Sequence, residues 1–288
     1  MSTWHWAASP SDGTRLFYSD DDHGDVRAPV VLCDGIGCDG YVWRYLRRSV
    51  TPRRVLHAHY RGHGRSQPPR DLARVAIPDL ADDLAAVLDD AEVPRAVLVG
   101  HSMGVQVSLE TWHRHRDRVA GLVLICGAAS HPLRTFRGVR TLEDLLPAIE
   151  RVIVRAPRLV NSLNRALLPT RIALAIAGRV EINRALVRPD DFMPYLEGLA
   201  RMDIRVFLAM LAAAGQHSSE PWLDQIDVPV LVVAGGRDGF TPPERSRQMA
   251  ASITNARFLE VPDGTHTAPI ERPQEIDRAV LDFLSGIQ

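Results

Sequence analysis

Apolar residues recur along this chain in two alternating rhythms. Short runs rich in Val, Leu and Ile, bounded by Gly, Pro and Asp, read as strands; stretches with an apolar residue every three or four positions read as helices. Trp4 to Ala8 and Thr14 to Tyr18 flank Ser9-Pro10-Ser11-Asp12-Gly13 and predict an antiparallel hairpin. Strands are predicted at Val30 to Cys33, Arg54 to Ala58, the run ending Val97-Leu98-Val99, Val119 to Ile125, Val228 to Ala234 and Ala256 to Val261. Between them fall helical patterns. One begins at about Tyr41. One opens at Pro78, carries Leu80, Leu84, Val87 and Leu88 on one face, and stops before Pro94. Another carries Val105, Val107, Leu109 and Trp112, and the last runs from Pro273 to Leu284. Strands that alternate with helices at this spacing predict an α/β fold, a parallel sheet with helices on both faces.

The rhythm breaks at His131. From there to about Ser219 the pattern is helical only, with helices predicted at Leu142 to Val154, Leu159 to Leu167, Ile172 to Leu186 and Phe192 to Ala214. The chain therefore divides into a core, 1–130 and 220–288, and an inserted helical segment, 131–219.

The stretch Val97-Leu98-Val99-Gly100-His101-Ser102-Met103-Gly104-Val105 reads strand, sharp turn, helix. Its Gly-x-Ser-x-Gly has the form of a nucleophile elbow, in which strained backbone pushes the serine hydroxyl out of the turn. Strand and helix pass close together beside the serine, which is the reason for Gly100 and Gly104. A serine hydroxyl is a weak nucleophile and needs a base, itself oriented by a third group. Histidine suits the task because its pKa lies near operating pH. In a doubly wound sheet the functional loops lie at the carboxyl ends of the strands. His266 follows the strand ending at Val261, and Asp238 follows the strand ending at Ala234, so both reach that edge. Asp263 is the competing carboxylate; it sits in the turn of the histidine itself and is expected to shape that turn. His101, beside the serine in sequence, is not the expected base.

Together these motifs resemble the α/β-hydrolase superfamily over nearly the whole chain. The residues that carry the resemblance are the Gly100–Gly104 elbow, the Arg61-Gly62-His63-Gly64-Arg65-Ser66 loop, Gly235-Gly236-Arg237-Asp238 and Gly264-Thr265-His266. The chain order Ser102, Asp238, His266 is the order that fold uses. The resemblance implies a mostly parallel, eight-stranded sheet with the helical insertion as a lid over the active site. It also implies an oxyanion hole made by the backbone N–H of Met103 and, from the loop after Cys33, that of Ile36, with Gly35 in the turn. There the sequence departs from the family pattern: His-Gly is usual, and Asp34-Gly35 stands here, as in some lactone hydrolases of the superfamily. Asp34 is expected to accept backbone hydrogen bonds and to point away from a developing oxyanion; contact with substrate is the other reading. Dehalogenases and epoxide hydrolases of this fold carry Asp at the elbow, whereas this chain carries Ser102.

Composition narrows the chemistry. The chain has 288 residues, 45% of them hydrophobic, and a formal net charge of −1, which gives no general attraction to nucleic acid or to an anionic membrane. All 34 basic residues are arginine, which excludes a Schiff-base or P-loop lysine. No metal-ligand cluster is visible, and no metal or cofactor is expected. Cys33, Cys38 and Cys126 make an odd count; Cys33 and Cys126 lie in apolar runs and are expected to be buried thiols, and a cytoplasmic location is expected. Met1 to Asp12 lacks the pattern of a signal peptide, and no uncharged apolar run reaches membrane-spanning length, so no stable membrane insertion is expected. The insertion 131–219 holds 13 arginines and 8 acids. Its arginines are expected to form a solvated face, contact with a lipid surface being the alternative. Its apolar faces should pack on the core and partly line a substrate pocket. The sequence carries no signal for oligomeric state.

The expected function is hydrolysis of a small, largely apolar carboxylic ester or lactone through an acyl-enzyme, with Ser102, Asp238 and His266 as triad and no cofactor. Hydrolysis of a C–C bond or a thioester, and acyl transfer, share that triad and stay open. So do cofactor-free oxidase or perhydrolase chemistry and, from another class, a non-catalytic ligand-binding protein on this fold.

Overall fold

The computed structural model describes residues 2–134, 148, 151, 153, 155–180, 182–183 and 185–287. Eight strands, β1 (Thr3–Ala8), β2 (Arg15–Asp21), β3 (Val30–Cys33), β4 (Val55–Ala58), β5 (Ala96–His101), β6 (Val119–Ile125), β7 (Val230–Gly235) and β8 (Ala256–Val261), form one sheet. Its order is β1-β2-β4-β3-β5-β6-β7-β8. The first two strands form the antiparallel hairpin, β2 pairs antiparallel with β4, and every pairing beyond is parallel. The predicted strands are all present; β6 and β8 have the expected limits, and the hairpin's second strand runs on to Asp21.

Alternation along the strands sorts their side chains to two faces. Val31, Cys33, Leu56, Leu98, Leu122, Leu124, Val230 and Val232 pack with α2 (Ile77–Asp90), α3 (Met103–Arg114) and α8 (Pro243–Ala251). Val30, Leu32, Val55, Val97, Val99, Val123, Ile125, Leu231 and Val233 pack with α1 (Leu46–Ser49), α9 (Ala268–Glu271) and α10 (Pro273–Ser285). Both faces of β3 to β7 are thus buried, which is why these strands read as mainly apolar runs, whereas the edge strand β8 is half-buried or exposed along most of its length. Near Tyr41 the predicted helix is a 3-10 turn, Tyr41–Trp43, followed by the single turn of α1.

Between β6 and β7 lie α4 (Pro157–Leu167), α5 (Arg171–Val180), α6 (Pro189–Arg201) and α7 (Ile204–Gln216). The helix expected from Phe192 to Ala214 is two helices. Met202 is extended, and the Asp203 carboxylate accepts the N–H of Arg205, so Asp203 caps a new helix instead of continuing the old one. The helix expected from Ile172 to Leu186 ends at Val180, and Ala185 and Leu186 lie in a turn. Most of the helix expected at Leu142 to Val154 falls outside the described residues.

The order reverses at β3: the chain leaves β3 for β4 on one side and returns to β5 on the other. A crevice opens beyond the carboxyl ends of adjacent strands at such a point. Cys33 pairs with Gly100 there, so the loop after β3 and the turn after β5 begin side by side.

Candidate active site

Ser102 stands between β5 and α3 with φ 57° and ψ −120°, a conformation that L-residues rarely adopt. The turn is tight because the flanking residues lack side chains. A Cβ on Gly100 would overlap the carbonyl oxygen of Gly104, and one on Gly104 would overlap that of Cys33 in β3. A Cβ on Gly35 would stand 3.0 Å from Ser102 Cβ. The three glycines singled out in the sequence therefore sit where the loop after β3, the elbow and α3 meet.

The structure brings Ser102, Asp238 and His266 together from three separate strand ends. His266 Nε2 lies 2.9 Å from Ser102 Oγ, and His266 Nδ1 lies 2.9 Å from Asp238 Oδ2. An ionised carboxylate only accepts, so Nδ1 carries the imidazole proton and the Nε2 lone pair faces the serine hydroxyl. The Asp238 side chain is fully buried. Its Oδ1 accepts the backbone N–H groups of Phe240, at 2.8 Å, and Thr241, at 2.9 Å. The Thr241 hydroxyl lies 2.8 Å from Asp238 Oδ2 and 2.9 Å from the carbonyl oxygen of Cys126, donating its one proton to either. These contacts fix the carboxylate that orients the imidazole. The sequence reading missed Thr241, although an Asp with a hydroxyl residue three positions on is a local turn signal.

Asp263 does not compete for the imidazole; it forms an ion pair with Arg272. His101 packs against His266 with ring centroids 5.0 Å apart, and its Nε2–H donates to the His266 carbonyl oxygen at 2.8 Å. It holds the histidine's backbone and faces no serine proton. Burial, aided by the neighbouring His266, pulls the His101 imidazole from its ordinary 6.5 down to about 4. Between those values the unfolded chain binds a proton that the folded chain refuses, so the stability His101 contributes is present above pH 6.5 and lost as pH falls toward 4. The stability gap between the native chain and a His101→Gln variant is expected to narrow by roughly 1.4 kcal/mol per pH unit across that window. Urea unfolding at pH 7, 6 and 5 measures it, and a gap independent of pH contradicts it.

Ile36 and Met103, the expected oxyanion donors, both border the cavity that holds Ser102 and His266. Met103 opens α3, where a backbone N–H has no helical acceptor. The loop that carries Ile36 is held by a residue the sequence reading did not assign. The N–H of Gly37 donates to His63 Nε2 at 2.9 Å, while His63 Nδ1–H donates to the Arg61 carbonyl oxygen at 3.2 Å. His63 is buried, and burial lowers its pKa, which keeps the ring neutral and able to accept.

Asp34 accepts side-chain donors rather than the expected backbone ones. Trp43 Nε1–H reaches Oδ1 at 2.7 Å, and His57 Nε2 lies 2.7 Å from Oδ2. Burial drives its carboxyl up, but the neighbouring His57 and these hydrogen bonds outweigh it and hold the carboxyl below its ordinary value. Asp34 lies outside the cavity lining and serves as a buried tie between the loop after β3 and β4.

The cavity has a volume of about 320 Å³. From the core it is lined by Ser102, His266, Met103 and Phe240, and from the inserted helices by Tyr195 and Leu199 of α6 and Phe207, Leu211 and Ala214 of α7. Its walls are mainly apolar. Among the described residues no cluster of His, Cys, Asp or Glu suits a metal ion, and no helix is long and apolar enough to cross a membrane.

Fold and site together define a doubly wound α/β protein with an elbow serine, an acidic residue and a histidine in hydrogen-bonded series. The chain belongs to the alpha/beta hydrolase fold family, whose model matches residues 28–273. It is 28% identical over 264 residues to a Caulobacter sp. (strain K31) protein that bears the provisional name carbamate hydrolase RutD, covering 90% of this chain and 91% of that one. It is 28% identical over 265 residues to the dihydrolipoyllysine-residue acetyltransferase component of the acetoin cleaving system of Pseudomonas putida, covering 90% of this chain but spanning only 64% of that protein's length. The crystal structure of the enol-lactonase from Burkholderia xenovorans LB400 superposes with a TM-score of 0.77 at 26% identity, over 98% of this chain and all of that one (100%).

Proposed function

We propose that this protein is a serine hydrolase of small, largely apolar carboxylic esters or lactones. The observation that carries the reading is His266, within hydrogen-bond reach of both Ser102 and Asp238 at the wall of an apolar cavity. In this mechanism Ser102 Oγ attacks the substrate carbonyl carbon as His266 Nε2 takes the hydroxyl proton. The carbonyl oxygen becomes an oxyanion facing the N–H groups of Ile36 and Met103. On collapse the imidazolium returns its proton to the departing alkoxide, leaving Ser102 acylated. Water, deprotonated by His266, then releases the carboxylic acid; with a lactone, acid and alcohol leave as one molecule. Asp238 keeps the imidazole oriented throughout.

The inserted helices serve as a lid, since α6 and α7 supply the outer wall of the cavity. The enol-lactonase likeness and the provisional hydrolase name of the Caulobacter relative support hydrolysis of an acyl bond as the reaction class. The buried free thiols of Cys33 and Cys126 support a reducing, cytoplasmic setting.

Two experiments test this. A fluorophosphonate probe should label the native chain and leave Ser102→Ala unlabelled; labelling that persists in the variant moves the nucleophile elsewhere. Phe207→Ala should lengthen the favoured acyl chain of p-nitrophenyl esters. Each methylene accommodated in the enlarged cavity should raise kcat/KM by about fourfold, from roughly 0.8 kcal/mol of apolar burial. An unchanged chain-length profile would remove α7 from the substrate wall.

A further inference from the structure

Amphipathic helices in a folded chain normally turn the apolar stripe inward. The helix α4 does the reverse. Leu159, Leu163 and Leu167 recur every fourth residue along one face, and α5 continues with Ile172 and Ile176; all five are between 48% and 74% exposed. The opposite side of α4 is fastened to the molecule: Asn161 Oδ1 accepts the N–H of Ile204, the first residue of α7, at 2.9 Å. The outward leucines are thus a consequence of how the helix is anchored.

The charge carried by these two helices has one sign. Arg155, Arg158, Arg165 and Arg171 are exposed, and the sequence from 151 to 180 contains no acidic residue. Arg158 and Arg165, seven residues apart, share the polar side of α4, about 100° or more around the helix axis from the leucines. An exposed apolar row on two helices whose charged residues are all arginines matches a surface that is uniformly negative outside and apolar just beneath.

We propose that the outward face of α4 and α5 docks this protein peripherally on an anionic phospholipid surface. The five apolar side chains sit at the boundary between headgroups and acyl chains, and the arginines sit on the phosphates. None of the five lines the cavity beside Ser102, so this face is separate from the site already described. The cavity's outer wall comes from α6 and α7, so docking would bring it near the lipid phase.

The test is co-sedimentation of the full chain with vesicles of phosphatidylcholine alone and of phosphatidylcholine mixed with phosphatidylglycerol. Partitioning onto the mixed vesicles should exceed that onto the neutral ones by about tenfold or more at low salt and should weaken as salt is raised. The variants L159S/L163S/L167S and R158S/R165S should each lose about tenfold or more of that binding. All five positions are exposed, so circular dichroism and the thermal midpoint should stay native. Equal partitioning onto both vesicle types, no partitioning, or binding that survives the leucine variant overturns the proposal. A dimer by light scattering that the leucine variant splits, with no vesicle binding, assigns the stripe to a second copy and overturns it as well.

Discussion

Replacing Ser102 by alanine is expected to lower kcat/KM on a p-nitrophenyl ester by about 10⁶-fold, and replacing His266 by alanine by about the same factor. The two losses should not multiply. Without the imidazole the hydroxyl keeps its proton, and without the hydroxyl the imidazole has no proton to take, so either change removes the same step. The Ser102→Ala/His266→Ala chain should match the single variants within about tenfold. Asp238→Asn should cost less, about 10⁴-fold. The carboxamide can donate toward Nδ1 and so drives the imidazole proton onto Nε2, the atom that must accept. The N–H groups at Ile36 and Met103 survive in every variant, so a residual rate of about 10³ over water is expected. Steady-state kinetics on the purified variants, with circular dichroism to confirm the fold, provide the measurement. A His266→Ala enzyme with an undiminished rate would remove the assigned base, and multiplicative losses would mean the two residues act in separate steps.

Much of this site was legible because its signals are local. The strands on both sides of β5 are unbroken apolar runs, and the elbow compresses strand, nucleophile and helix into nine residues, Val97 to Val105. Asp238 and His266 could be placed at one edge of the sheet because each directly follows a recognisable strand. Where the partners come from distant segments, the sequence was silent. Asp34 carries no sign that Trp43 and His57 will surround it, nor does His63 announce that it will accept from Gly37. The break between α6 and α7 was missed for another reason. The apolar spacing continues across Met202 and Asp203, and only the capping role of Asp203 interrupts it. The cavity walls were legible as apolar helix faces but not as particular residues, since packing chooses which members of a stripe face the serine.

The second large effect is expected at a residue with no chemistry of its own. In Gly104→Ala the new Cβ would overlap the carbonyl oxygen of Cys33 and stand 2.7 Å from that of Asp34. Both obstacles are backbone, at the end of a strand paired on each side, and neither can swing away as a flexible side chain would. The start of α3 must therefore move off β3 or the fold must loosen. Overpacking of this kind costs roughly 3 kcal/mol or more. The wedge also opens between the two proposed oxyanion donors, because Ile36 lies on one side of it and Met103 on the other. A displacement of about 1 Å there costs on the order of 10²-fold, and loss of a donor up to about 10³-fold. The expected result is a chain that unfolds at clearly lower urea concentration and, where still folded, shows kcat reduced by about 10²–10³ with KM changed much less, since the walls supplied by Phe240, α6 and α7 are untouched. Gly286→Ala is the control: its Cβ would meet only the Phe283 carbonyl oxygen at 3.6 Å, and stability should stay within about 0.5 kcal/mol of the native chain. If Gly104→Ala instead kept native stability and full kcat, the close approach of α3 to β3 would not be what sets the oxyanion geometry, and the pairing of Ile36 with Met103 would have to be given up.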